Sequence, residues 1–166
     1  MKKITTLIVI IIFSSQLGKA QDIYYTILED AQKVAFDENS NNIVARIAMF
    51  KYNELKYIKE TAFKCVDTLT TKFLDDQAYY MNEYIGIFFN NVLLNQQIDK
   101  KEKKDLILLF IDASCSNPLF NDSDKEVTYA YVNDSNNQLT PFCLDTDWLK
   151  AYVAVTNDNR IKNIIK

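Results

Sequence analysis

Apolar side chains recur three and four positions apart along most of this chain, the spacing of one face of an α-helix. Tyr24, Ile27, Leu28, Ala31, Val34 and Ala35 form such a face, with Glu29, Asp30, Gln32 and Lys33 opposite. They predict a helix from an Asp22 cap to about Ala35. Asp37 to Asn42 reads as a polar turn, with Ser40 or Asn41 as the next cap. A second periodic segment spans Ile43 to Thr71, but its phase slips. Val44, Ile47 and Ala48 begin one stripe, and Leu55, Ile58, Ala62, Cys65, Val66 and Leu69 continue on another. Lys51 and Glu54 fall where the first stripe should have continued, so a kink or break is expected between Met49 and Asn53.

The third segment, Leu74 to Gln96, is apolar over most of its circumference. At about 100° per residue, Leu74, Ala78, Met81, Ile85, Phe88, Phe89 and Val92 share one face, and Tyr80, Tyr84, Ile87 and Leu94 share a second. Asp76, Glu83 and Asn90 mark a narrow polar strip between them. A helix of that kind is buried by neighbours on several sides, which predicts a central position in a bundle.

Asp99 and Glu102 have capping-box spacing and open a fourth helix around Leu106 to Ile111 and Ala113, ending before Asn117-Pro118. The remaining third holds an internal echo. Pro118 to Asp124 and Pro141 to Asp147 share proline, three residues, then Asp-Ser/Thr-Asp, 23 residues apart. Each precedes a short helical stretch with aromatics: Tyr129 and Tyr131 after the first, Trp148 and Tyr152 after the second. Ser123 with Glu126 has capping-box spacing, and Leu144 with Leu149 has staple spacing. Asn133 to Gln138 reads as the loop between the two units. No Asn-Gly or Asp-Gly hairpin turn separates alternating runs. The expected fold is all-α, one irregular bundle of about five to seven helices over residues 21–166.

Residues 1–20 stand apart from that pattern. Met1-Lys2-Lys3 is a basic start, Ile4 to Phe13 a largely apolar run, and Gly18-Lys19-Ala20 a small-residue site. This is the layout of a secretory signal peptide, with cleavage expected between Ala20 and Gln21. The apolar run is about half the length of a bilayer-spanning helix, so no permanent membrane anchor is expected. The chain is expected to work in the periplasm or to be secreted.

Composition narrows the chemistry. There is no histidine, which removes Ser-His-Asp and Cys-His nucleophile arrangements and histidine-ligated metals. Beyond the leader Gly86 is the one glycine, too few for a phosphate-cradling loop. The leader carries three lysines and no acids, so the net charge of −3 becomes −6 without it. With Arg46 and Arg160 as the only arginines, nucleic-acid binding is not expected. Neither a cofactor nor a metal site is indicated. The two Asp-Ser/Thr-Asp turns have oxygen ligands suited to calcium, but helix capping accounts for the same residues.

Paired carboxylates are the remaining route to catalysis. Asp76 and Glu83 share a helix strip roughly 10.5 Å apart along the axis, beyond the about 5–9.5 Å that glycosidases use. A pair drawn from separate helices would leave an envelope-glycan hydrolase open, provided one carboxylate is desolvated in a cleft. Three cysteines in an exported chain point to one disulfide, with Cys115–Cys143 expected and Cys65 then free and buried, Cys65–Cys115 the competing pair, and three free thiols the remaining alternative. Lys100, Lys101, Lys103 and Lys104 form a basic cluster that reads as a solvated helix start.

Ten tyrosines, ten phenylalanines and Trp148 exceed what a small core readily hides. The second face of helix three, with Tyr80, Tyr84 and Ile87, is the expected interaction surface for a protein, an envelope component or a second copy. Asp67-Thr68-Leu69 matches a short bacterial O-glycosylation pattern at Thr68, and Asn121 and Asn133 open eukaryotic-type sequons. The leading expectation is an exported, non-enzymatic interaction module. The hydrolase is the alternative, and a carrier of a small apolar ligand is a third.

Overall fold

The computed structural model describes residues 22–65, 70–134 and 139–165. The expected signal peptide and its Ala20–Gln21 cut, the Thr68 site and most of the 133–138 loop lie outside those residues. The described chain is all-helical, with eight α-helices, five of them seven residues or longer, and no strand.

Helix α1, Ile23–Ala35, ends where its apolar pattern ends. Asp22 precedes it but makes no side-chain cap. The Tyr24 amide instead donates to Asp75 Oδ1 at 2.7 Å, a cap supplied from a distant helix. The Tyr24 ring is buried, and its hydroxyl donates to the Leu55 carbonyl at 2.8 Å. That bond ties α1 to α2, Asn42–Cys65.

Helix α2 runs through Met49–Asn53 without the break that was one of the two expected outcomes there. No proline or glycine interrupts it. The phase slip is accommodated by burying the off-phase polar side chains. Half-buried Lys51 donates to Asn82 Oδ1 at 2.7 Å, and fully buried Glu54 accepts from the Trp148 indole at 2.7 Å. The outcome of the off-phase pattern is polar burial within a continuous helix.

Helix α3, Thr71–Gly86, starts at Thr70, whose hydroxyl accepts from the Phe73 amide. It packs against α1, α2 and α7 and is the central rod that its sequence predicts. It does not continue as α-helix to Gln96. From Ile87 to Leu93 the chain forms a π-helical segment, closed by Leu94 N–H donating to the Phe89 carbonyl at 2.9 Å. The wider turn shifts the phase. Phe88, Phe89 and Val92 remain buried, while Leu94 is 69% exposed instead of completing a second apolar face.

Asp99 caps α4, Lys100–Cys115, by accepting from the Lys101 and Glu102 amides at 2.8 and 3.0 Å. Lys103 of the basic cluster reaches back to the carbonyls of Leu93 and Asn95, at 3.0 and 2.6 Å. It covers the acceptors left at the end of the π-helical segment.

The C-terminal third contains α5 (Lys125–Thr128), α6 (Ala130–Asn133), α7 (Trp148–Thr156) and α8 (Asn159–Ile164). The last aspartate of each echo is the cap. Asp124 accepts from Val127 N–H and Asp147 from Lys150 N–H, so Asp124 rather than Ser123 caps α5. With Asp147 as the cap of α7, Leu144 and Leu149 no longer hold the positions of a staple around it. Asp145 has another role. Its carboxylate is 2% exposed and accepts from the amides of Leu119, Phe120 and Asp122 at 2.7–3.1 Å. Asp147 N–H adds a 2.7 Å bond to the Asn117 carbonyl. The two echo segments are thus stitched to each other, and the second delivers α7 to the centre.

There Phe50, Tyr84, Phe88, Phe110, Phe142 and Trp148 are all fully buried. Their neighbouring ring centroids stand 4.8–6.2 Å apart in tilted or edge-on pairs, the arrangement aromatic quadrupoles favour. Asp145→Ala leaves three amides without their acceptor. It should lower the unfolding free energy by at least about 3 kcal/mol in urea titrations, with Asp145→Asn losing less.

Candidate interaction surface

Aromatic rings surface along the seam between α3 and α7. Tyr79 and Tyr80 stand edge to face with centroids 5.2 Å apart, and Tyr80 leans on Tyr152 at 5.2 Å. Tyr79 is 41% exposed, and Tyr80 and Tyr152 are half-buried. Helix geometry brings them together. Tyr80 lies on the flank of α3 that meets α7, and Tyr152 follows Trp148 by one turn on α7. Leu149 and Val153, also one turn apart, are exposed on α7. Burial and the nearby Glu83 carboxylate raise the Tyr152 phenol above its ordinary range, so it stays a neutral hydroxyl. The seam therefore offers apolar ring surface together with phenol donors, the pairing enriched at recognition surfaces.

Of the residues predicted for this role, Tyr80 lies in the seam, half-buried, while Ile87 begins the π-helical segment and packs half-buried against the core. Tyr84 is not in the seam. It is fully buried, donates its hydroxyl to the Phe110 carbonyl and packs against Phe110, Phe142 and Trp148. The second apolar face of α3 is split: α7 and α4 cover Tyr84, and Tyr80 is left at the edge. Tyr79 and Tyr152 were not predicted. The signal for Tyr152 was its one-turn spacing from Trp148, but pairing it with Tyr80 requires knowing that α7 docks on α3.

The cysteine prediction is corrected. Cys115 and Cys143 are free thiols. Their segments do meet, since Cys143 N–H donates to Ser114 Oγ at 2.9 Å. The Cys143 thiol is turned elsewhere, donating to the Thr128 carbonyl at 3.0 Å. Burial pushes this thiol up to about 12 and also raises Cys115, with Asp112 adding to the latter. Neither setting generates a thiolate nucleophile.

A desolvated carboxylate next to another is present. Glu54 and Asp145 act on each other electrostatically, but they are 0% and 2% exposed, inside the core rather than in a cleft. Glycosidase chemistry needs substrate between the pair, and these two side chains give it no access. The carboxylates of the Asp-Ser/Thr-Asp turns are used within the fold. Asp145 holds three amides, and Asp147 holds Lys150 through its amide and, at 3.0 Å, its ammonium. Among the described residues no cluster of three or more His, Cys, Asp or Glu is placed to hold a metal ion, and no helix is long and apolar enough to cross a membrane.

A cleft of about 220 Å³ opens between α1, the end of α2 and the start of α3, walled by Tyr24, Tyr25, Phe63 and Leu74. Lys59 lies against it, 4.8 Å from the Tyr25 ring centroid and bonded to the Tyr25 hydroxyl at 2.9 Å. The cleft is smaller than the about 300–1,000 Å³ of most small-molecule sites, and Asp22, Lys59, Thr70 and Thr71 give it a polar share. It does not match the apolar enclosure that a lipid-like cargo needs.

No protein-family model, curated protein or solved structure matches this chain.

Two outcomes are expected. Tyr84→Phe removes the bond to the Phe110 carbonyl and should cost about 1 kcal/mol of stability in denaturant melts, as a core change does. In thiol-labelling kinetics on the folded protein, half-buried Cys115 should react before Cys143, and Cys143 should react only as the protein opens.

Proposed function

We propose that this chain is an exported helical interaction module that binds a protein or a cell-envelope component through the Tyr79–Tyr80–Tyr152 seam. The observation that carries the reading is the seam itself: Tyr80 contacts both Tyr79 of its own helix and Tyr152 of α7, and this two-helix cluster is left partly open beside a fully buried group of Phe50, Tyr84, Phe88, Phe110, Phe142 and Trp148. Exposed aromatics cost solvation and, when clustered, mark sites where another surface completes the burial. Export rests on the Met1 to Ala20 pattern, with the working protein beginning at Gln21 in the periplasm or outside the cell. The seam can be completed by a partner or by a second copy of the chain. Its phenols allow hydrogen bonding at the contact rim, and Glu83 beside Tyr152 adds negative charge there.

The test is capture from envelope extracts with immobilised residues 21–166. The triple variant Tyr79→Ser/Tyr80→Ser/Tyr152→Ser should keep its helical circular dichroism and lose the captured component by at least about tenfold. Equal capture by the variant overturns the assignment. Light scattering on the unmodified protein separates self-association from a foreign partner.

A further inference from the structure

The buried carboxyl group of Glu54 has a role that the interaction surface does not use. Glu54 sits mid-way along α2 with no exposed surface. Oε1 accepts the Trp148 indole N–H at 2.7 Å, and Oε2 is buried with no hydrogen-bond partner. A bare carboxylate oxygen in that position leaves a buried charge without a donor, whereas a carboxylic acid brings no net charge into the core. The surroundings act in the same direction. Asp145 and Cys143 face Glu54 from the segment entering α7, and Tyr57 does so from α2 itself. All three are acids, and Asp145 already brings carboxylate oxygens held by backbone amides. From α3, the neighbouring polar group is uncharged Gln77, whose Oε1 accepts Trp148 N–H at 2.8 Å.

We propose that Glu54 is protonated in the folded protein and acts as a latch between α2 and α7, so that loss of this one proton to solvent loosens the seat of Trp148. The latch joins residues 94 positions apart and holds the first residue of the helix that carries Tyr152. Burial, opposed by the indole bond and reinforced by Asp145, raises the Glu54 carboxyl well above the usual carboxylate range. The sign follows from linkage. The unfolded chain releases this proton above about pH 4.3, while the folded chain keeps it. The stabilising contribution is therefore full below that pH and is lost progressively as pH rises towards the folded-state value.

The experiment compares the unmodified protein with Glu54→Gln, a neutral near-isostere that keeps an acceptor for the indole. Melting temperatures are measured between about pH 4 and about pH 8. The advantage of Glu54→Gln over the unmodified protein should widen by at least about 3 °C across that range. Trp148 is the sole tryptophan, so its emission reports the same group. It should titrate above the carboxylate range in the unmodified protein and stay flat in the variant. Parallel melting profiles overturn the latch. Should the variant fail to fold, infrared spectroscopy of the unmodified protein decides. A protonated-carboxyl band at neutral pH that vanishes on unfolding supports the proposal, and its absence from the folded protein overturns it.

Discussion

The seating of Trp148 is the interaction on which the rest of the molecule depends. Its backbone amide is held by Gln77 of α3 and its indole N–H by Glu54 of α2, and its ring lies among Phe50, Tyr84 and Phe142. Three helices from distant parts of the chain converge on one side chain. A large aromatic brings much apolar surface, but its polar N–H must find an acceptor when buried. That requirement explains why polar Glu54 occupies a core position, while Gln77 answers the backbone amide that opens α7.

The same requirement marks where sequence reading succeeds and where it stops. Local features were legible. The end of α1 at Ala35, the Asp99 cap and the central position of α3 follow from spacing and side-chain chemistry within a few residues. Long-range features were not. Glu54 off its stripe looked like a reason to bend α2, because nothing nearby in sequence announces an indole 94 residues away. Asp145 looked like one member of a capping pair, and its three amide partners sit 23 to 26 residues earlier.

The aromatic surface was half legible for a related reason. A helical wheel with constant 100° steps groups Tyr80, Tyr84, Ile87 and Leu94, but it assumes one geometry along the whole segment. The π-helical segment after Gly86 breaks that assumption for Leu94. Tyr84 is lost from the surface by tertiary packing instead, since α4 and α7 close over it. What remains outside is Tyr80, joined by Tyr79 from its own helix and Tyr152 from α7. A surface built from two helices that meet only after folding cannot be read from either helix alone.

The bonds that join residues 117–122 to Asp145 and Asp147 also bear on how the chain folds. Helices α1 and α2 are neighbours along the chain and make local contacts, whereas the strap that carries Asp145 has little helical ladder of its own. Closing so long a loop is entropically unfavourable until a formed surface is there to receive it. On that ground the hairpin of α1 and α2 and the rod of α3 are expected to form ahead of the segment that carries Asp145.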